Sequence, residues 1–173
     1  MVTQFNPLVA IDLVTPFPTW FQIEGVIGSQ NNDTFIGTDA LNPAEQANPF
    51  GGGNWLIGGS GDDTFTGGGG NDLIAGDAGS DTVIGNSGSD LLFGGDGDDS
   101  LSAGDNAETV TGGNGNDVLN GGAGVDTLQG GADLDTLTGG TGLDQFRGSL
   151  SEFHGDRIAD YEAGEKVYLF NNL

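Results

Sequence analysis

A repeat of nine residues is the feature that most constrains this chain. From Gly58 to Arg147, ten blocks follow one another without insertion, from GGSGDDTFT to GGTGLDQFR. Glycine recurs at the first, second and fourth positions, an acid fills every sixth position and an apolar residue fills every eighth. Two columns in register over so many blocks predict a solenoid, in which each repeat stacks on its neighbours.

The chemistry of the repeat predicts its local structure. Glycine enters positive φ without steric cost, so we expect the first six residues of each block to form a turn. The last three should form a short strand whose middle side chain points inward, because side chains alternate between the faces of an extended chain. Two turns and two strands make one coil of eighteen residues. The predicted fold is all-β, a right-handed parallel β-roll (a β-helix or solenoid) with N-terminal and C-terminal caps.

The chain divides into four regions around this array. Upstream, the period is weaker and is interrupted by an insertion, in which Asn42, Pro43 and Glu45 have the spacing of a short helical turn. The first residues are aromatic and broken by proline, which predicts a cap and not a helix. Alternating residues at Lys166–Leu169 predict a closing strand. The regions are an N-terminal cap (1–27), degenerate repeats with a loop insertion (28–57), the ten-repeat roll (58–147) and a C-terminal cap or secretion-signal region (148–173).

The acids of the sixth position are the candidate functional residues. Stacked turns lie about 4.8 Å apart, and two bare carboxylates at that distance repel each other by about 0.9 kcal/mol even in bulk water. A divalent cation between the turns reverses this effect, because carboxylates and backbone carbonyls form an all-oxygen site. The ten blocks contain no histidine or cysteine, which disfavours zinc and copper. Calcium, which accepts six to eight oxygens in flexible geometry, is the expected ion.

The blocks resemble the GGxGxDxUx nonapeptide of the RTX (repeats-in-toxin) calcium-binding family. The resemblance implies that each ion lies between successive turns on one side of the roll, which gives roughly six to eight ions. The implied acidic ligands are Asp33, Asp63, Asp72, Asp81, Asp90, Asp99, Glu108, Asp117, Asp126, Asp135, Asp144, Asp156 and Asp160. Further oxygens are expected from turn glycines, namely Gly59, Gly61, Gly68, Gly70, Gly95, Gly97, Gly113, Gly115, Gly122 and Gly124.

Several blocks depart from the pattern. Glu108 is one methylene longer than aspartate, and Asn106 stands where the fourth-position glycine should be, so we expect a weak or altered site there. Asp133 also occupies a fourth position, where it should share or distort the neighbouring site. Asp77 and Asn86 replace second-position glycines, and both residue types tolerate the left-handed conformation.

Charge and composition exclude several classes of function. The chain has 26 Asp and Glu against 3 Lys and Arg, a formal net charge of -23, which argues against binding nucleic acid or an anionic membrane surface. It lacks cysteine and any apolar run long enough to span a membrane. The tail GDRIADYEAGEKVYLFNNL is similar to segments that close domains of the RTX family. The resemblance implies export of a bacterial protein by type I secretion machinery, without a cleaved N-terminal signal peptide.

The expected function is a calcium-binding module that folds on binding calcium and supports the secretion and stability of an extracellular bacterial protein. We expect no catalysis by this chain, since Ser151, His154 and Asp156 are only sequence neighbours. One alternative is a non-catalytic fragment of a larger secreted enzyme or toxin, with parent-protein domains as partners. Another is a solenoid that binds ice or a surface ligand through exposed threonines. These are Thr64, Thr66, Thr82, Thr136 and Thr138.

Overall fold

Parallel strands account for the regular structure of this protein. The computed structural model describes residues 25–37 and 53–170, and within them there are fifteen strands and no helix. The predicted helical turn at Asn42–Glu45 and nearly all of the N-terminal cap lie outside these residues. The strands are β1 (Gly25–Ile27), β2 (Thr34–Ile36), β3 (Trp55–Ser60), β4 (Thr64–Gly69), β5 (Leu73–Ala78), β6 (Thr82–Ser87), β7 (Leu91–Asp96), β8 (Ser100–Asn106), β9 (Thr109–Asn114), β10 (Val118–Gly124), β11 (Thr127–Ala132), β12 (Thr136–Gly142), β13 (Gln145–Ser149), β14 (Arg157–Ile158) and β15 (Lys166–Phe170).

The strands alternate between two parallel sheets. Sheet 1 has the order β1-β3-β5-β7-β9-β11-β13-β15, and sheet 2 has the order β14-β12-β10-β8-β6-β4-β2. Within the strict array, each residue pairs with the residue one coil away, as Thr64 does with Thr82 and Thr82 with Ser100. This register confirms the predicted coil of eighteen residues and the all-β solenoid.

The strands are longer than the sequence pattern predicted. A typical strand has six residues and continues through the first three positions of the next block, as in β4. Gly68 pairs with Asn86, and Gly69 with Ser87, so the glycine-rich segment joins the ladder. The prediction of a six-residue turn was therefore wrong. Stacking identical backbones lets their N–H and C=O groups pair even where φ is positive, and this leaves only about three residues for each turn.

A single column of inward side chains on each sheet forms the core. The eighth-position residues of the ten strict blocks are at most 1% exposed, as the pattern predicted. Phe35 extends this column into the first coil, where its ring stacks on Phe65 with centroids 4.9 Å apart. The buried column of the strict array is Phe65, Ile74, Val83, Leu92, Leu101, Val110, Leu119, Leu128, Leu137 and Phe146.

The coil length changes near both ends of the roll, but the inward register does not. Thr34 pairs with Thr64, thirty residues apart, whereas Gln145 pairs with Lys166, twenty-one residues apart. The three extra residues of the C-terminal coil lie between β13 and β14. At the C-terminal end they form a tight loop, in which the Ser149 amide donates to the Glu152 carboxylate and the Glu152 amide donates to Ser149 Oγ. This reciprocal pairing is a capping box.

Candidate metal centre

The sixth-position acids point into the roll and are buried. All ten in the strict array are at most 2% exposed. The three Lys and Arg residues of the chain, Arg147, Arg157 and Lys166, all lie in its last part and cannot neutralise the earlier coils. Charged groups are rarely buried in proteins unless they are paired or coordinate a metal. The acids therefore require a compensating charge that the side chains of these coils do not supply.

One oxygen of each carboxylate is held by the neighbouring coil. The amide of Asp81 donates to Asp99 Oδ1 over 2.8 Å, and the amide of Asp99 donates to Asp117 Oδ1 over 2.9 Å. Bonds of this kind, 2.6 to 3.0 Å long, connect the whole first acid column. The first acid column consists of Asp33, Asp63, Asp81, Asp99, Asp117, Asp135 and Asp156.

The second column is less regular. The amide of Asn54 donates to the Asp72 carboxylate, and the amide of Asp72 donates to the Asp90 carboxylate. No such bond joins Asp90 to Glu108. Beyond this break, the amide of Glu108 donates to Asp126, and the amide of Asp126 donates to Asp144. Burial, together with the adjacent Asp126 carboxyl group, raises the pKa of Glu108 above its usual range. The second acid column consists of Asn54, Asp72, Asp90, Glu108, Asp126, Asp144 and Glu165.

The other carboxylate oxygen is buried and accepts no hydrogen bond. An oxygen left in this state costs about 1–3 kcal/mol, and more if it is charged. It lies beside the first-position glycine of its own block: a Cβ on Gly94 would be 2.2 Å from Asp99 Oδ2 and 2.7 Å from the Gly112 carbonyl oxygen. Glycine thus leaves a space on which two oxygens converge. The oxygens without a partner are Oδ2 of Asp63, Asp81, Asp90, Asp99, Asp117, Asp126, Asp135 and Asp144.

The pKa values of the carboxyl groups reflect this burial. Loss of solvation, reinforced by neighbouring carboxylates, raises the pKa of Asp90 and Asp117 from 3.8 to about 7. The same causes raise the pKa of Asp63 and Asp99 to about 6, although each accepts a backbone hydrogen bond that acts in the opposite direction. Asp98, which is exposed, differs: hydrogen bonds from the backbone and side chain of Asn116 lower its pKa. Burial therefore disfavours the charged form of these four inward acids.

The donor set fits a hard divalent cation. Carboxylate and carbonyl oxygens are the ligands that calcium prefers, and nitrogen and sulfur ligands are missing from the strict blocks. No three acidic or histidine side chains form a cluster in the described parts of the chain. An ion would therefore be held by carboxylates from stacked turns together with backbone carbonyls.

The turn positions predicted to supply carbonyls have the expected backbone. All ten of the predicted glycines have positive φ, and so do the four residues that replace glycine in these positions. Their φ values are 76° for Asp77, 77° for Asn86, 99° for Asn106 and 82° for Asp133. The prediction that Asp77 and Asn86 tolerate the left-handed region is confirmed, and Asn106 and Asp133 adopt it as well.

The last coil places its two predicted acids in different surroundings. Asp156 lies in the first acid column, where its Oδ1 accepts the Asp135 amide over 3.0 Å. Asp160 lies elsewhere in its turn, and its two oxygens accept the amides of Gly139 and Gly140 over 2.9 and 2.7 Å. Glu165, which the sequence reasoning missed, is the buried acid that continues the second column.

Glu165 could have been found by its spacing. It follows Asp156 by nine residues, which is the period of the array. One of its oxygens accepts the Glu162 amide over 2.6 Å, and the other is buried without a partner. It therefore shares the half-satisfied state of the other inward acids.

No catalytic triad forms at Ser151, His154 and Asp156. The Ser151 hydroxyl pairs with Ser149 Oγ over 2.8 Å, and Asp156 accepts the amide of Asp135. His154 is exposed. No hydrogen bond joins any two members of the would-be triad in the described structure.

The outward faces of the two sheets differ in chemistry. On sheet 2, Thr64 pairs with Thr82 and Thr82 with Ser100, but the column is interrupted at Val118. On sheet 1, Trp55 pairs with Leu73 and Leu73 with Leu91, so an apolar column covers three coils. The hydroxyl column therefore aligns as predicted, in two separate runs.

Comparison with known proteins agrees with the geometry. A family model described as the RTX calcium-binding nonapeptide repeat (4 copies) matches residues 50–83, 84–119 and 120–150, which together are more than half of the chain. No curated protein matches the chain. In the described part of the chain, no helix has the length and apolar character needed to cross a membrane.

Proposed function

Since the chain belongs to the RTX calcium-binding nonapeptide repeat family, we propose that it is a calcium-dependent β-roll module whose folded state requires ions between stacked turns. The observation that carries the proposal is the row of buried carboxylates, in which residues such as Asp81, Asp99 and Asp117 have one oxygen held by a backbone amide and the other without a partner. The matched family binds calcium through this repeat, and the oxygen-only donor set suits that ion.

The residues of the chain prepare the site before an ion arrives. The amide of the preceding coil fixes the orientation of each carboxylate, so that Oδ2 faces the space beside the first-position glycine. The carbonyl of the next coil faces the same space. Calcium, when bound, supplies the positive charge that the buried carboxylates lack.

Calcium concentration would then control folding. In the unfolded chain the acids are solvated and far apart, whereas folding buries them in two columns. Because calcium binds the folded state preferentially, it shifts the equilibrium by RT ln(1 + [Ca]/Kd) per site, about 1.4 kcal/mol when calcium is ten times the Kd. Several such sites together amount to the stability of an ordinary domain, about 5–15 kcal/mol.

The wider role that we propose is in a protein outside the bacterial cell. Exported through type I machinery, the chain would remain unfolded while calcium is scarce and fold where calcium is abundant. The tail after Arg147 supports this part of the proposal through its resemblance to segments that close such domains. The proposed number of ions is roughly six to eight, on the basis of the gaps between successive acids.

Circular dichroism with and without calcium tests the proposal. The full chain in excess chelator should give a disordered spectrum at pH 7.5, and strand signal should appear on addition of millimolar calcium but not of the same concentration of magnesium. Calorimetric titration should give several ions per chain. A chain that is fully ordered in chelator, with no heat on addition of calcium, would refute the proposal. Thermal hysteresis in calcium would separately favour the ice-binding alternative.

A further inference from the structure

The first position of the strict array contains one residue other than glycine, namely Ala103. Elsewhere this position has no room for a side chain. A Cβ on Gly85 would lie 2.3 Å from Asp90 Oδ2, and one on Gly94 would lie 2.2 Å from Asp99 Oδ2. Real Cβ atoms essentially never approach another atom below 3.0 Å. The methyl group of Ala103, which is fully buried, is therefore incompatible with the usual position of an aspartate in its block.

The acid of the same block is the one glutamate among the ten sixth positions. Glu108 is 2% exposed, and its carboxyl group receives no hydrogen bond from a backbone amide but lies beside the Asp126 carboxyl group. The ladder of the second acid column breaks at this side chain, which receives no amide hydrogen bond from Asp90. A larger residue at the first position and a longer acid at the sixth thus occur together. Each explains the other, since the extra methylene moves the carboxylate away from the methyl group.

From this pair we infer that the Ala103–Glu108 turn does not bind calcium, so that the second ion column is split into two separate segments. The inference rests on the proposed function. The methyl group occupies the space that first-position glycine leaves beside the carboxylate in other turns, and the Glu108 carboxylate lacks the amide that orients the others. The space between this turn and the turn of Asp90, and the space between this turn and the turn of Asp126, are the two ion positions next to Glu108. Both positions therefore lack one carboxylate in the usual orientation.

The opposite side of the same coil retains the regular arrangement. Asp99 accepts the Asp81 amide over 2.8 Å and donates its own amide to Asp117 over 2.9 Å. The first acid column consequently runs unbroken through the coil in which the second is interrupted. Ions on the first side would hold the roll together here, and the second side would be held by its backbone ladder and by packing.

Calcium stoichiometry, measured by equilibrium dialysis and by native mass spectrometry, tests the inference on the full chain. The double variant Ala103→Gly/Glu108→Asp restores the first and sixth positions of the block and should bind two more ions than the wild type. Neither single change should do so: Glu108→Asp alone brings the carboxylate against the methyl group, and Ala103→Gly alone leaves the long side chain. The reciprocal control, Gly94→Ala/Asp99→Glu, should bind fewer ions.

A milder variant covers the case in which the double variant fails to fold. Glu108→Gln keeps the size of the side chain, and it should leave the number of ions and the calcium midpoint of folding unchanged, whereas Asp99→Asn should reduce the number of ions. A loss of ions in Glu108→Gln would overturn the inference, as would equal stoichiometry in the wild type and a folded double variant. A wild-type chain that binds no calcium at all would instead refute the proposed function, and this inference with it.

Discussion

Replacement of one buried aspartate by asparagine should change the stability of the roll in opposite directions with and without calcium. Asp117 is 1% exposed, and its pKa is raised to about 7 from 3.8. Such a rise corresponds to about 4 kcal/mol of destabilisation of the folded state above pH 7. Asparagine cannot ionise, so Asp117→Asn removes this cost in the calcium-free chain.

The substitution also carries a cost. In Asp117→Asn, the amide oxygen that replaces Oδ1 can still accept the backbone N–H of Asp99, but the side-chain NH₂ takes the place of Oδ2, which has no partner. A buried donor without an acceptor costs about 1–3 kcal/mol. We therefore expect Asp117→Asn to stabilise the calcium-free fold by about 1–3 kcal/mol at pH 8. In calcium at about a hundred times its Kd, loss of the two ions next to Asp117 removes about 5 kcal/mol, which exceeds this gain. Asp117→Asn should therefore destabilise the calcium-bound fold.

Urea unfolding followed by circular dichroism measures both effects. The calcium-free arm is carried out in chelator with a fixed concentration of an excluded osmolyte, which favours the compact state. Asp98→Asn is the matched control, because Asp98 is exposed and its pKa is lowered by Asn116. This control should show no such reversal of sign. The reasoning fails if Asp117→Asn destabilises the calcium-free and the calcium-bound chains equally.

Three further results are expected. In chelator, strand content should fall between about pH 4 and pH 7, because folding raises the pKa of these acids from 3.8 to about 6 to 7 and the fold is therefore disfavoured as they ionise. A flat circular dichroism profile would contradict this. Leu119→Ala should lower the free energy of unfolding in urea by about 2–5 kcal/mol with calcium present, because Leu119 is buried in the core. Val118→Ala, at the exposed neighbouring position, should lower it by less than about 0.5 kcal/mol. Equal effects of the two variants would argue against a core formed by one inward column on each sheet. Asp160→Asn should lower the free energy of unfolding by about 1–3 kcal/mol, because it weakens the charge-assisted hydrogen bonds from the amides of Gly139 and Gly140. The number of bound calcium ions should not change. Loss of an ion in equilibrium dialysis would show that Asp160 is a calcium ligand.

Much of the fold could be predicted because blocks of similar sequence adopt the same local structure and stack in register. Once Phe65 and Val83 are known to occupy equivalent positions, parallel stacking one coil apart places one above the other. The inward direction of the acids was harder to foresee. A row of aspartates normally suggests a solvated face, and only the folded structure shows that Asp99 is as buried as the apolar residues next to it.

Three features could not be predicted from the pattern for identifiable physical reasons. Glycine indicates a turn, so the participation of Gly68 in a strand ladder was missed. The three extra residues before Asp156 shift the last coil out of the period, and Glu165 was overlooked in favour of Asp160. The significance of Ala103 depends on the distance between its Cβ position and a carboxylate, which follows from folding and not from the spacing of residues.

The longer coil at the C-terminal end of the roll shows where such a fold can grow. Its three extra residues lie at a corner between β13 and β14, where the chain leaves the stack and returns in the same alignment. One residue added inside a strand would instead exchange every inward and outward side chain beyond it, exposing the apolar column to water. Corners of this roll are consequently the places where a foreign peptide could be grafted, while the lengths of its straight segments must stay fixed.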